Sequence, residues 1–127
     1  PISGKRPHST QVYLIDDLNA SGLLKKTLVL CTGEFGRTPA INGQGGRDHY
    51  PKVWSGLMAG GGLKQGIAYG SSDKQGAAVK DNPVSPGDLH ATIFDLLGVN
   101  PSKENYTSEG RPIRIVDKGT PIKGLMA

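Results

Sequence analysis

The 127-residue sequence has a single cysteine, no apolar run long enough to cross a membrane, and no more than two basic residues in succession. One cysteine excludes both an internal disulfide framework and a zinc site built from several cysteines. The longest apolar stretch, residues 28–31, has the length of a β-strand, far below the roughly 18 residues of a membrane span. We therefore expect one ordinary domain without a membrane-spanning segment.

Charge and aromatic content argue against a nucleic-acid partner. The formal net charge is +4, but the basic residues are scattered, and aromatic residues make up only 6% of the chain. Nucleic-acid binding surfaces typically combine a basic stripe with interleaved aromatic side chains, and neither is present here. The sequence also has no initiator methionine and no signal peptide, which predicts a processed protein or a fragment of a longer one.

The first half of the chain predicts a helix followed by a strand. Apolar residues at helical spacing predict a helix that begins at Ser9 or Thr10 and runs to about Ser21, and Gly22 is placed to end it. Residues 27–32 then form a continuous β-prone run. Because this run is apolar without alternation, it predicts a strand covered on both faces, as in a parallel sheet.

The second half predicts another helix and several short strands. Ser85, followed by Pro86 and Asp88, has the pattern of a capping box that starts a helix ending at about Leu97. Strands are expected at residues 53–59, 67–69 and 112–116, with Trp54 and Met58 on one buried face of the first. Helices alternating with strands indicate an α/β fold with a partial doubly wound sheet.

The loop from Gly33 to Tyr50 holds the most chemically capable side chains. Glu34 follows the carboxyl end of the predicted strand, where ligands bind in open α/β sheets. Its carboxylate is suited to a metal or to base catalysis, and Arg37 is suited to clamping an oxyanion. The alternative is a glycine-rich turn with a Glu34–Arg37 ion pair, and spacing alone leaves both interpretations open.

Asp48 and His49 form the second candidate pair. Adjacent carboxylate and imidazole groups can each offer one atom to a metal, provided that the loop turns both inward. The alternative is a surface loop in which Asp48 caps a turn and His49 faces solvent. His90 is expected to be a packing or boundary residue beside Phe94.

Several motifs together resemble a known family. The most specific are two runs, Glu34-Phe35-Gly36-Arg37-Thr38-Pro39 and Gly46-Arg47-Asp48-His49-Tyr50-Pro51. They are followed in the same order by Ala59-Gly60-Gly61-Gly62, Tyr69-Gly70-Ser71-Ser72-Asp73, Asp88-Leu89-His90-Ala91-Thr92-Ile93 and Arg111-Pro112-Ile113-Arg114-Ile115-Val116-Asp117. In combination they resemble the C-terminal part of a bacterial sulfatase-like family, domain of unknown function fifteen-oh-one, which is similar to the alkaline phosphatase and sulfatase superfamily.

The resemblance implies a metal-dependent phosphate or sulfate ester hydrolase with an alkaline-phosphatase-like fold. It places Glu34, Asp48 and His49 at a site for one or two divalent cations such as zinc, manganese or calcium. It gives Arg37 and Arg47 the role of neutralising charge on a small anionic ester. Phe35, however, stands where the wider superfamily has a metal-binding histidine.

The resemblance also implies that this chain is the C-terminal part of an exported bacterial protein, periplasmic or secreted. The nucleophile would lie in a missing N-terminal half, so the chain would not turn over substrate alone. The alternative function is a non-catalytic surface or carbohydrate-associated scaffold that has lost the hydrolase chemistry. With half of its sheet absent, the strand at residues 27–32 would keep an unpaired edge or an uncovered face, which predicts self-association.

Overall fold

The computed structural model of the chain describes residues 10–127, and the predicted helices are both present. Helix α1 spans Thr10–Ala20 and helix α2 spans Pro86–Leu96. Short 3₁₀ turns cover Leu23–Lys26 and Lys123–Leu125. The proposed cap at Ser9 lies outside the described residues. None of the helices within residues 10–127 is long and apolar enough to span a membrane.

The strands of the described region form antiparallel pairs. They are β1 (Leu28–Thr32), β2 (Gly36–Arg37), β3 (His49–Tyr50), β4 (Gly56–Gly60), β5 (Ser71–Ser72), β6 (Val79–Asp81), β7 (Glu104–Tyr106) and β8 (Pro112–Arg114). Strand β1 pairs with β4, β2 with β3, β5 with β6, and β7 with β8. The predicted mixture of helices and strands is confirmed. The sheets described are two-stranded, and the connection from β1 to β4 contains the β2–β3 pair.

The longest strand pair joins β1 to β4. Its register pairs Leu28 with Gly60, Leu30 with Met58 and Thr32 with Gly56. The strand predicted at residues 27–32 is therefore confirmed. The prediction that both of its faces are covered is wrong for the described chain, since the side chain of Leu30 is 39% exposed.

Three other sequence predictions need correction. Residues 33–50 are not a structureless loop, because β2 and β3 pair within them. Residues 67–69 are not a strand, and extended pairing begins instead at Ser71. Trp54 precedes β4 and is 39% exposed, so it is not a core residue. The error at Trp54 arose because apolar character predicts burial only where another element is available to cover it.

Helix α2 begins as its sequence predicts. The hydroxyl of Ser85 accepts the amide N–H of Asp88, and the Asp88 carboxylate accepts the amide N–H of Ser85 in return. Gly98, with φ of 74°, follows the helix in the left-handed conformation. The capping box thus fixes the first turn of α2 from local sequence alone.

The segment after β8 is held along α2 by two side chains one helical turn apart. Asp88 Oδ1 accepts the amide N–H of Thr120 at 2.8 Å, and Thr92 Oγ1 accepts that of Ile122 at 2.9 Å. Further on, Ala127 donates its amide N–H to the carbonyl of Gly62 at 2.9 Å. Residues 120–127 therefore connect α2 to the turn that follows β4, and we call them the C-terminal strap.

The core of the described region is small. Its buried side chains include Leu24, Leu63, Ala91 and Thr92. Many large apolar side chains of the described residues, among them Leu30, Trp54 and Leu57, remain in contact with solvent.

Candidate functional site

The candidate site is the polar hairpin, defined here as residues 33–50. Glu34 lies two residues beyond the end of β1, as the sequence predicts. Strands β2 and β3 then pair antiparallel, with Gly36 opposite Tyr50 and Arg37 opposite His49. This register brings both conspicuous sequence runs, 34–39 and 46–51, into one structural unit.

An aromatic and cationic stack lies at the base of the polar hairpin. The rings of Phe35 and His49 have their centroids 3.9 Å apart and are tilted by 32°. The guanidinium carbon of Arg37 lies 5.6 Å from the centroid of the Phe35 ring, within the range of a cation–π contact. Phe35 therefore fixes the position of the imidazole and also contacts a cationic side chain.

Asn42 organises the tip of the polar hairpin. Its side-chain oxygen accepts the amide N–H groups of Gln44 and Gly46, each at 3.0 Å. Its side-chain nitrogen donates to Asp48 Oδ1 at 2.8 Å. One side chain thus closes the turn and orients one of the candidate metal-binding carboxylates.

Three further side chains bind one arm of the polar hairpin to the other. Thr38 donates its amide N–H to the Asp48 carbonyl, and the Thr38 hydroxyl accepts the amide N–H of Asp48, both at 3.0 Å. Arg47 Nη1 donates to the carbonyl of Thr38 at 2.7 Å and also to that of Pro39. Arg37 Nη1 donates to the carbonyl of Arg47 at 3.2 Å. Both arginines therefore help to hold the hairpin together.

Close backbone approach and one long-range hydrogen bond fix the polar hairpin to its surroundings. A Cβ atom at Gly36 would collide with the carbonyl oxygen of Val53, so glycine is required there. The hydroxyl of Tyr50 donates to the carbonyl of Ala77 at 2.7 Å. Asp73, in turn, accepts the amide N–H of Ala77 at 2.7 Å. The hairpin is therefore anchored at its base and against the β5–β6 turn.

The ionisable groups of the polar hairpin are exposed and balanced in charge. Glu34, Arg37, Arg47, Asp48 and His49 all lie in contact with solvent. Two carboxylates offset two guanidinium groups, so with neutral His49 the hairpin has no net formal charge. Attraction of an anion would consequently depend on contact with an individual guanidinium or imidazole group.

The candidate metal ligands are held in one hairpin but do not form a complete site. Within residues 10–127, no group of three or more His, Cys, Asp and Glu side chains is placed to hold one ion. Asp48 already accepts a hydrogen bond from Asn42, and one face of the His49 ring lies against Phe35. Among the described residues, Glu34, Asp48 and His49 are therefore not brought together as one ion-binding group, and their role as metal ligands stays a prediction.

A second concave surface lies along α2. This groove of about 550 Å³ is lined by Gly87, His90, Phe94, Ile115, Val116, Asp117 and Lys118. His90 is exposed at its border, and half-buried Phe94 lies one turn further along the helix. The predicted boundary role of His90 agrees with this position.

Hydrogen bonding controls the protonation of Asp88, beside this groove. The Ser85 hydroxyl, and then the Thr120 amide, hold the pKa of the Asp88 carboxyl below its ordinary value, against a smaller opposing effect of burial. The ionised carboxylate is thus the form that caps α2 and holds the C-terminal strap. The Asp-x-x-x-Thr pattern at residues 88–92 therefore has a structural role in this chain.

Sequence reasoning missed the residues that position the polar hairpin. Thr38 and Tyr50 belong to the two conspicuous runs without a role assigned to them, and Asn42 lies between those runs. The available signal was Asn42 itself, because an asparagine side-chain oxygen commonly closes a turn by accepting the amide N–H two residues further on, here that of Gln44. The Tyr50–Ala77 contact, 27 positions apart, had no local signal.

Comparison with known proteins gives a family and nothing more specific. The family model described as "Protein of unknown function (DUF1501)" matches residues 8–126. No curated protein and no solved structure matches the chain. The match includes the polar hairpin, α2 and nearly all of the C-terminal strap.

Proposed function

We propose, from the premise that this chain belongs to the DUF1501 family, that the polar hairpin is the anion-binding part of a phosphate- or sulfate-ester hydrolase. The observation that carries the proposal is the β2–β3 register, which sets Arg37 opposite His49. A guanidinium and an imidazole on neighbouring strands are both suited to contact the oxygens of a tetrahedral anion. Glu34 and Asp48 lie on the same hairpin.

In this proposal the arginines neutralise charge that develops on the ester oxygens. Arg47 Nη1 donates hydrogen bonds to the carbonyls of Thr38 and Pro39, and Arg37 Nη1 donates one to the carbonyl of Arg47. Within the described residues, the remaining N–H groups of each guanidinium have no protein acceptor, so they are available to a ligand. These hydrogen bonds fix the orientation of each guanidinium group before an anion binds. The entropy cost of binding is therefore lower.

A divalent cation remains part of the prediction for the larger protein. Glu34, Asp48 and His49 would need at least one further ligand from outside residues 10–127 to complete a site. The nucleophile would also come from the larger protein. So would the doubly wound, alkaline-phosphatase-like sheet that would surround β1. We therefore expect this chain to bind an anion without turning over an ester, and we expect the larger protein to be exported.

Titration with inorganic sulfate and inorganic phosphate, followed by the amide NMR signals of the chain, tests the proposal. We expect saturable shifts confined to residues 34–50, and their loss in His49→Ala and in Arg37→Lys, which keeps the charge but removes the planar fork. His90→Ala, which removes an exposed histidine from α2, is the matched control and should bind as the parent does. Absence of hairpin shifts, or equal loss in His90→Ala, would refute the proposal.

A non-catalytic scaffold is the second candidate function, and the Phe35–His49 contact favours it. Phe35 stands where the resemblance to the superfamily would have a metal-binding histidine, and its ring covers one face of the imidazole. The two functions can be separated in a longer protein that contains this chain, purified without chelator. Bound zinc, manganese or calcium together with cleavage of aryl phosphate or aryl sulfate supports the hydrolase. Oligosaccharide binding with neither property supports the scaffold.

A further inference from the structure

The tip of the polar hairpin contains an asparagine followed directly by a glycine, Asn42 and Gly43. No other asparagine in the sequence precedes a glycine. The others precede proline or a residue with a side chain: Asn19, Asn82, Asn100 and Asn105. Because glycine has no side chain beside its backbone nitrogen, that nitrogen is the least hindered nucleophile that can follow an asparagine.

The backbone nitrogen of Gly43 is accessible. Gly43 is exposed to solvent, and a Cβ atom added there would have nothing within 4 Å. Among residues 10–127 its N–H has no protein acceptor, although the N–H groups of the next three residues are all hydrogen-bonded. No protein contact therefore opposes removal of the Gly43 amide proton by water.

The side chain of Asn42 is held over the same turn. Its Oδ1 accepts the N–H groups of Gln44 and Gly46, each at 3.0 Å, and both residues lie beyond Gly43 in the chain. Attack of a nucleophile on Cγ moves negative charge onto Oδ1, and two backbone N–H groups directed at one oxygen stabilise such an oxyanion. Nδ2 donates to Asp48 Oδ1 at 2.8 Å, so the nitrogen that would leave faces Asp48.

We propose that Asn42 is a site of spontaneous deamidation, and that its conversion disconnects Asp48 from the tip of the polar hairpin. The Gly43 nitrogen, after losing its proton to water, bonds to Asn42 Cγ. The Cγ–Nδ2 bond breaks, and the nitrogen leaves as ammonia after taking a proton from water. Water then opens the resulting succinimide ring. Opening at Cγ gives aspartate, and opening at the main-chain carbonyl carbon of residue 42 gives isoaspartate.

Both products change the contacts of the tip. In aspartate an oxygen replaces Nδ2, so Asp48 loses its donor and two negative charges meet where a hydrogen bond of 2.8 Å stood. In isoaspartate the main chain passes through the former side chain, so the carbonyl that accepts the Gly45 N–H at 3.0 Å no longer belongs to the main chain. Either product adds one negative charge to a hairpin whose charged groups otherwise balance.

Mass spectrometry of peptides from the chain, after incubation in neutral buffer, tests the proposal. The peptide with residues 42–43 should gain about 1 Da and separate into aspartate and isoaspartate forms, whereas the peptides with Asn19 and Asn105 should not change over the same period. Gly43→Ala is the matched control, because its methyl group has open space around it. This variant should gain mass about tenfold more slowly, since the added side chain hinders the attacking nitrogen.

Two further measurements test what the fold contributes. The reaction should be faster in the folded chain than in guanidinium chloride, because the Gln44 and Gly46 amides contact Asn42 Oδ1 only in the folded chain. In the deamidated chain the amide NMR signals of Gln44, Gly46 and Asp48 should shift, while those of α2 stay in place. Asn42→Asp supplies the reference spectrum for the aspartate product.

Three results would overturn the proposal. They are an unchanged mass of the 42–43 peptide, an equal rate of mass gain in Gly43→Ala, and a deamidated chain whose Asp48 amide signal matches that of the fresh chain. A slower reaction in the folded chain than in the unfolded chain would overturn the role given to the Gln44 and Gly46 amides. None of these measurements uses an anion, so this proposal and the proposed function fail independently.

Discussion

The hydroxyl of Thr92 joins two segments of the chain that are 30 positions apart. It donates to the Asp88 carbonyl at 2.7 Å within α2 and accepts the amide N–H of Ile122 at 2.9 Å. Thr92 is fully buried, so both hydrogen bonds are shielded from water. This one side chain links the helix to the C-terminal strap.

We expect Thr92→Val to destabilise the chain by about 1–3 kcal/mol, because it leaves the Ile122 N–H without an acceptor in a poorly hydrated position. Thr92→Ser keeps the hydroxyl and should lower the free energy of unfolding much less. The midpoint and slope of urea unfolding, followed by circular dichroism, give both values. Equal destabilisation by Val and Ser would mean that packing of the methyl group, and not the hydroxyl, holds the strap.

Stability should depend on pH through Asp88. Its folded-state pKa lies below the ordinary value, so the ionised carboxylate contributes stability above the unfolded pKa of about 3.9. That contribution is lost as the pH falls through the lower, folded-state pKa. Asp88→Asn should therefore reduce the loss of stability between about pH 5 and pH 2. Unfolding free energies across this range measure the effect.

The control for this pH dependence is Asp117→Asn, which alters an exposed carboxylate on the neighbouring loop. This variant should show the same dependence of the unfolding free energy on pH as the parent chain. If Asp88→Asn also retains that slope, the hydrogen bonds from Ser85 and Thr120 do not stabilise the carboxylate as described.

Gly36→Ala should disrupt the polar hairpin because the new methyl group would meet the Val53 carbonyl. A backbone atom cannot move aside as a flexible side chain does, so we expect a cost of about 1–3 kcal/mol or more. Gly43→Ala is the control within the same hairpin, where nothing lies within 4 Å of an added Cβ atom. Thermal unfolding of both variants checks the difference, and similar midpoints would contradict the close approach.

Asn42→Ala should loosen the tip of the polar hairpin without unfolding the chain. It removes the acceptor of the Gln44 and Gly46 amides and the donor to Asp48. Exchange of those two amides should accelerate about tenfold, which corresponds to about 1.4 kcal/mol. Gln44→Ala, which removes an exposed side chain from the same turn, should leave their exchange unchanged. No acceleration in Asn42→Ala would show that the backbone alone holds the turn.

Local patterns predicted the elements whose causes are local. The capping box at Ser85 and Asp88 specified the start of α2, Gly22 and Gly98 marked the helix ends, and residues 27–32 specified β1. At the helix ends the stabilising partner lies within a few positions along the chain, whereas β1 pairs with the distant β4. The outcome therefore depends on sequence that can be inspected in one short window.

The same local patterns did not predict contacts between distant segments of the chain. Apolar character in β1 predicted cover on both faces, but cover depends on other elements, and Leu30 remains exposed. The pairing of Arg37 with His49 depends on a turn closed by Asn42, which apolar periodicity does not detect. Asp88 and Thr92 were noticed as a pattern, whereas their partners lie about 30 positions further along the chain.

The C-terminal strap also constrains how the protein is made. Its last hydrogen bond joins Ala127 to Gly62, and its earlier ones reach Asp88 and Thr92. Contacts between such distant positions close slowly because the intervening chain must first be ordered. During synthesis, α2 can form as soon as it emerges from the ribosome, whereas the hydrogen bonds that join residues 62–64 to the C-terminal strap can form only after the strap has emerged.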